Sequence, residues 1–176
     1  MLLMKKIREA KIEDIQQVMI CINDAKAFLR KSGSTQWNGK NGYPSDKDIK
    51  EDIKNKRLYV EEIDGEIAGC CAFLGVEPEY SENYGSWLTD SDNYLTIHRV
   101  AVSDKFRGTK VAKDLFNYAN IYAKNNRLDS IRVDTHPKNL IMQHLAISSG
   151  FTECGYVIYS SIPDEPKRIV YEKIVK

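Results

Sequence analysis

The sequence predicts an α+β domain built on a mixed sheet (α/β mixed sheet), and three observations carry that prediction. Strand-like and helix-like segments alternate early and again in the middle of the chain, so some neighbouring strands must be joined by crossovers. Asp64-Gly65, between two apolar runs, is a hairpin signal and adds antiparallel pairing. The chain has 176 residues, 42% of them hydrophobic, and a domain of that size buries roughly 70% of its unfolded surface. One core is enough for such a chain, so residues 1–176 are read as a single domain.

Each element has its own local reason. KIREA at 6–10 suits a short first strand. In IEDIQQVMICINDAKAFL, the residues Ile12, Ile15, Val18, Met19, Ile22 and Leu29 fall largely at helical spacing, which predicts an amphipathic helix. The Gly-, Ser- and Asn-rich stretch RKSGSTQWNGKNGYPS breaks it. Ser45 followed by Asp48 then marks a second helix start, continued by Ile49 and Ile53. RLYVEEIDGEIAGCCAF reads as the hairpin, and Val76 to Asn93 as a long loop carrying Tyr80, Tyr84 and Trp87. YLTIHRVAV is a strand. Beyond it, Val111, Ala112, Leu115, Phe116, Ala119, Tyr122 and Ala123 recur every three or four residues and predict a third helix. SIRVDT is the next strand; Asn139 caps a helix containing Ile141, Met142 and Leu145, and Gly150 ends it. FTECGYVIYS and RIVYEKI close the chain as strands.

Charge excludes several partners. A formal net charge of +1 gives no global attraction to nucleic acid or to an anionic membrane, so an anionic ligand must be held by local geometry. No basic stripe with interleaved aromatics appears, so no nucleic-acid partner is expected. No apolar run approaches the roughly 18 residues of a membrane span, and MLLMKKIREA lacks the apolar core of a signal peptide; a cytoplasmic protein with no membrane partner is expected. Cys21, Cys70, Cys71 and Cys154 show neither CxxC spacing nor a histidine at metal-ligand spacing. They read as small buried hydrophobes, with no metal site and no disulfide.

KFRGTKVAKDLF, residues 105–116, leaves a strand and enters a helix. The first amides of such a helix lack partners, and its dipole places partial positive charge there, so the turn can hold a phosphate. Gly108 permits close backbone approach, while Arg107 and Lys110 add charge. Taken alone, Arg107-Gly108-Thr109 reads equally as an ordinary turn with Thr109 as cap. A dinucleotide fingerprint is weaker, because Gly108 stands without the other glycines.

The arrangement from residue 94 to 151 resembles the GNAT superfamily, the Gcn5-related N-acetyltransferases that use acetyl coenzyme A. Their signature R/Q-x-x-G-x-G/A is matched by Arg107, Val111 and Ala112, with Lys110 where the middle glycine is expected. IHRVAVSDKFRG is similar to the family's acyl-coenzyme A strand, and NLIMQHLAISSGF to its N-x-x-A-x-x-L-Y-E-K-x-G-F segment. The order of the remaining elements is also similar, so the resemblance covers nearly the whole chain. It implies a central, twisted, mixed but mostly antiparallel sheet of about seven strands flanked by about four helices. It also implies that Val100, Ala101 and Val102 run beside the pantetheine arm of acetyl-CoA, that the backbone of Arg107, Gly108, Thr109, Lys110, Val111, Ala112 and Lys113 wraps the pyrophosphate, and that Asn139 touches the arm. Lys110 keeps the amide that a glycine would offer and is strained only if a positive φ is required there.

Acetylating an amine requires a base, because an alkylammonium is almost fully protonated at neutral pH. His98, on the strand beside the implied thioester site, is the candidate, against the reading of a hydrogen-bonded structural histidine. The place of the glutamate base found in many relatives falls near Thr96, which shares a face with His98 unless a bulge intervenes. Ala146 stands where relatives carry a tyrosine that protonates the thiolate; Tyr159, Tyr156 or solvent are the substitutes. For the acceptor side, the resemblance points to Trp37, Tyr43, Tyr84 and Trp87 in loops, although loop aromatics also serve as packing plugs. Glu77 and Glu79 suit a cationic substrate, and Asp134 suits a substrate amine or pairing with Arg132. His136 either touches acceptor or pantetheine or organises the turn before Pro137. The expected activity is transfer of an acetyl group from acetyl-CoA to a primary amine by direct attack in a ternary complex, since no cysteine lies on the acyl strand. A small-molecule or peptide amine is the expected acceptor, and a homodimer stays open. The alternative is a non-catalytic domain that binds or senses acyl-CoA.

Overall fold

The structure is a computed structural model that describes residues 2–176. Its strands are β1 (Lys5–Glu9), β2 (Leu58–Ile63), β3 (Glu66–Leu74), β4 (Tyr94–Val102), β5 (Ser130–Thr135), β6 (Thr152–Ile158) and β7 (Lys167–Ile174). They form one sheet in the order β1-β2-β3-β4-β5-β7-β6. Among the described residues β4–β5 is the one parallel pairing, so the sheet is mixed and mostly antiparallel, as expected. Among the described residues four α-helices accompany it: α1 (Ile15–Lys31), α2 (Asp46–Lys54), α3 (Val111–Asn125) and α4 (Leu140–Ser148).

Local chemistry explains the boundaries. Ser45 and Asp48 form a reciprocal capping box that starts α2. Asp64 and Gly65 both adopt positive φ (49° and 84°), which a two-residue turn between twisted strands requires. Asn139 caps α4 by accepting from the Met142 amide at 3.2 Å, and Gly150 follows at φ 89°. One helix expectation needs correcting. Ile12 lies in a separate 3₁₀ turn before α1 and is 53% exposed, so the inward face of α1 begins at Ile15, which is partly buried, and is fully buried from Val18.

The sheet buries both faces. On one, Leu115, Phe116 and Ala119 of α3 and Ala146 of α4 pack on Tyr59, Phe73, Leu95, Ile97, Ile131 and Val133. On the other, Val18, Cys21 and Ile22 of α1 and Ile49 of α2 pack on Leu58, Val60, Cys70, Ala72 and Ala101. Adjacent Cys70 and Cys71 enter opposite cores, as strand alternation demands, and all four cysteines are buried.

Two irregularities make the site. The first is a bulge in β4: Cys70 pairs with Ala101 and Ala72 with His98, so Cys71 faces two residues, Arg99 and Val100. Arg99 takes φ 54°. The bulge resets the alternation. Leu95 and Ile97 face α3, whereas beyond the bulge Val100 and Val102 take that side and Ala101 turns to α1. The second is a split. β4 and β5 pair only at Tyr94–Ser130, Leu95–Ile131 and Thr96–Arg132, then separate. From Ile97 onward β4 has no strand on its β5 side, and Val133 to Thr135 have none on their β4 side.

Candidate active site

A cavity of about 890 Å³ occupies this split. Its walls come from Phe28 and Leu29 of α1, the loop that follows α1, β4 from Ile97 to Val102, the start of α3, the cavity-facing side of α4, and the end of β5. Residues from both faces of the sheet contribute, so the cavity passes through the gap between the strands.

At the α3 end the backbone leaves several amides open. Gly108 sits at φ 78°, and a side chain there would point into open space. Lys110 is the N-cap at φ −85°, so replacing the family's middle glycine by lysine introduces no left-handed strain. The helix begins at Val111, and no side chain caps it; Thr109 instead donates its hydroxyl back to the Phe106 carbonyl. The cap role considered for Thr109 is therefore not taken, and the first helical amides have no intrahelical partner. Arg107, Gly108, Thr109, Ala112 and Lys113 line the cavity, while Val111 is buried in the α3 core and offers only its amide. Arg107 lies over the Phe28 ring at 4.1 Å and pairs with Asp104. Asn139 lines the opposite wall.

His98 and Thr96 occupy the same face of β4 but different environments. Thr96 lies where β4 and β5 are still paired, is fully buried, and donates its hydroxyl to the Gly75 carbonyl at 2.7 Å. It does not reach the cavity, which corrects its place among the catalytic candidates. His98 lies just past the last paired residue and lines the cavity. Its Nε2 is shielded from the cavity and lies 3.1 Å from Glu77 Oε2. The neighbouring imidazole is the main cause that holds the Glu77 carboxyl below its ordinary value.

Three further groups complete this end. Asp134, on the cavity wall, accepts the hydroxyls of Tyr80 (2.7 Å) and Tyr159 (2.8 Å). Burial pushes the Tyr159 hydroxyl far above the ordinary tyrosine value, and the Asp134 charge adds to it, so this cavity-lining phenol stays protonated. Arg99 is held by buried Asp52 through Nε (2.6 Å) and Nη2 (2.7 Å), and its Nη1 donates to the Tyr43 hydroxyl at 2.8 Å. Tyr43 and Trp37 both line the cavity.

Several sequence expectations end elsewhere. Tyr84 stacks on Tyr156 at 5.0 Å and is 59% exposed, and neither ring lines the cavity. Trp87 donates to the Tyr80 carbonyl and lies 4.1 Å from the Arg132 guanidinium. The cause is the pairing of their loop with β6: the Tyr84 amide donates to Tyr156 and the Ser86 amide to Cys154. That pairing draws both aromatics away from the cavity. His136 is buried beside it without lining it. Its Nδ1 accepts from the Lys138 amide, so Nε2 carries the proton toward Glu165, and burial lowers its pKa. This is the turn-organising reading rather than substrate contact. Asp134 does not pair with Arg132, which bonds to buried Glu172 at 3.0 Å. Glu79 accepts from Ser160 instead of facing the cavity. Ala146 is buried in the core, so the tyrosines on the cavity wall are Tyr43 and Tyr159, the latter in the β6–β7 loop, and none comes from α4.

The sheet, its split and the uncapped helix at the split define an acetyltransferase architecture, and solved structures agree. An acetyltransferase of the GNAT family from Streptococcus agalactiae 2603 superimposes with a TM-score of 0.86 at 37% identity, covering 98% of this chain and 96% of that one. A putative acetyltransferase from Staphylococcus aureus Mu50 follows with a TM-score of 0.72 at 25% identity, over 97% and 99% of the two chains. The ribosomal-protein-S18-alanine N-acetyltransferase of Escherichia coli shares the fold alone, with a TM-score of 0.70 at 14% identity over 98% and 95%. Among curated proteins no significantly similar sequence is found. The model of the acetyltransferase (GNAT) family matches residues 26–151, and the chain belongs to that family.

Proposed function

We propose that this protein transfers an acetyl group from acetyl-CoA to a primary amine held in the same cavity, by direct attack in a ternary complex. The observation that carries the reading is the meeting of two features across one split: the open helix-start amides at Gly108 and from Lys110 to Lys113, and the His98 imidazole on the cavity wall with Glu77 beside it. Acetyl-CoA supplies an activated thioester.

The residues present fit that donor. The backbone from Gly108 to Lys113 suits a diphosphate, since the amides lack capping side chains and Gly108 leaves room for approach. The unpaired edge of β4 at Val100 to Val102 suits the amide groups of the pantetheine arm, and Asn139 faces them from α4. His98 takes a proton from the incoming ammonium, with the Glu77 carboxylate 3.1 Å from its Nε2. Asp134 attracts the ammonium before that transfer. Solvent returns a proton to the leaving thiolate, a fair leaving group because a thiol of pKa near 8.5 needs little help, whereas the Tyr159 hydroxyl is bound to Asp134 and too weak an acid for that role.

Calorimetric titration with acetyl-CoA, followed by amine-dependent release of free thiol, tests the reading. His98→Ala is expected to lower turnover about a hundredfold or more at neutral pH while leaving acetyl-CoA affinity within about twofold. Unchanged turnover removes His98 from the mechanism. The second reading, a domain that senses acyl-CoA without turnover, is favoured by the buried alanine at 146 in place of a tyrosine. It predicts acetyl-CoA binding with no thiol release for any amine.

A further inference from the structure

The acceptor end of the cavity contains a charge that the chemistry above does not use. Arg168, on β7, lines the cavity yet is only 5% exposed. Its Nη1 donates to the carbonyls of Glu165 and Lys167, both at 2.8 Å. Among the described residues it forms no ion pair, and its Nε and Nη2 have no hydrogen-bond acceptor.

A buried guanidinium without a bonded counter-ion is costly: burial dominates over the attraction of the Asp134 and Glu165 carboxylates, which lie nearby but do not pair with it. The two nearest carboxylates are engaged elsewhere. Glu165 binds Lys138 at 2.7 Å and the Thr35 hydroxyl at 2.7 Å. Asp134 takes both tyrosine hydroxyls on Oδ2, which leaves Oδ1 free of hydrogen bonds among the described residues.

The register places these charges with respect to each other. Asp134 pairs with Val170, so Arg168, two residues along β7, lies on the same face of the sheet as a diagonal neighbour. Thr96 pairs with Arg132, which puts His98 on that face too. One face of one cavity therefore carries an unpaired cation, an anion with a free oxygen, and the candidate base.

We propose that the acceptor is a small amino carboxylate, its carboxylate held by Arg168 and its ammonium by Asp134 next to His98. The assignment rests on the N-acetyltransferase reading above. Arg168 offers two donors in a fixed fork that matches a carboxylate, and the ligand supplies the counter-ion that the fold withholds. An amine without an acidic group fills only half of the arrangement.

The test compares each standard amino acid with its own primary amide in the thiol-release assay with acetyl-CoA. The amide has the more readily deprotonated amine, so intrinsic reactivity works against the expected result. At least one amino acid is expected to exceed its amide in kcat/KM by about tenfold or more, mainly through KM. Arg168→Gln is expected to abolish that preference by raising KM for the acid while leaving the amide within about twofold. Equal use of acid and amide by the unaltered protein overturns the proposal and requires no variant. So does a loss in Arg168→Gln that falls alike on acid and amide, since that is the mark of a purely structural arginine. Turnover confined to amines lacking a carboxylate overturns it while leaving the acetyltransferase reading intact. Absence of both acetyl-CoA binding and thiol release sinks the reading beneath it as well.

Discussion

Gly69 links the packing of the sheet to the geometry of the cradle, and Gly69→Ala probes that link. The backbone of Gly69 is not in the positive-φ region, so only space opposes a side chain. A Cβ built there lies 2.6 Å from Val111 Cγ1 and 2.9 Å from the Ala101 carbonyl oxygen. Ordinary contacts between such atoms lie at about 3.5–4.0 Å, so relief requires a movement of about 1 Å. Ala101 is anchored in the β3–β4 ladder, and Val111 is fully buried with the stiff side chain of a β-branched residue in a helix. The first turn of α3 must therefore lift from the sheet. Overpacking of this kind costs about 1–3 kcal/mol, equivalent to a Tm lowered by about 2–12 °C for a domain of this length. The amides from Gly108 to Lys113 move with the turn, and displacing them by about 1 Å is expected to weaken acetyl-CoA binding about tenfold. Thermal unfolding and calorimetric titration measure the two effects separately. A Tm within about 1 °C of the unaltered protein refutes the packing argument. A lowered Tm with unchanged affinity refutes the placement of the diphosphate at this turn.

Three other outcomes follow from the same geometry. Glu61 is buried beneath α3 beside Asp114 and 3.9 Å from Lys5, and burial, with Asp114 adding, pushes its carboxyl up to about 7; the folded state thus holds a proton that the unfolded chain releases near 4.5. Stability from this group is complete below the unfolded value and is lost as pH rises toward 7, so between pH 5 and 8 the unaltered protein should lose about 2–3 kcal/mol relative to Glu61→Gln in urea unfolding, and parallel pH curves would contradict this. Gly108→Val meets no internal obstacle but forces a β-branched residue to φ 78° and fills the approach to the backbone, so acetyl-CoA affinity should fall about tenfold or more, and equal affinity in the titration would count against the cradle. Asp52→Asn leaves Arg57 and Arg99 without their shared buried carboxylate and should cost about 3 kcal/mol in urea unfolding, with a loss below about 1 kcal/mol showing that the pair is not held by charge.

How much of the site was legible depended on the range over which its residues act. The turn at Arg107 and Gly108 could be read because a strand, a glycine and a helical repeat lie within a dozen residues, and the family pattern overlies them. The Thr96 assignment failed for a reason outside its own neighbourhood: the last β4–β5 pair falls at Thr96, so the split opens one residue too late to expose it. Tyr84 and Trp87 were misplaced because the pairing of their loop with β6, a strand far along the chain, decides where they point. Arg168 carried no signal at all, since an arginine in RIVYEKI looks like any charge on a strand until its surroundings are known.

By itself the sequence determined the order of elements, the mixed sheet, the caps of α2 and α4, the glycine turn into α3 and, through its motifs, the family. These depend on periodicity, backbone angles and short-range hydrogen bonds, all of which act between residues a few positions apart. Tertiary structure alone decided the bulge at Arg99, the parting of β4 from β5, the approach of Glu77 to His98, and the unpaired guanidinium of Arg168. Those features come from the balance of pairing and packing between strands distant in sequence. That balance is settled only when the whole sheet has closed around its two cores.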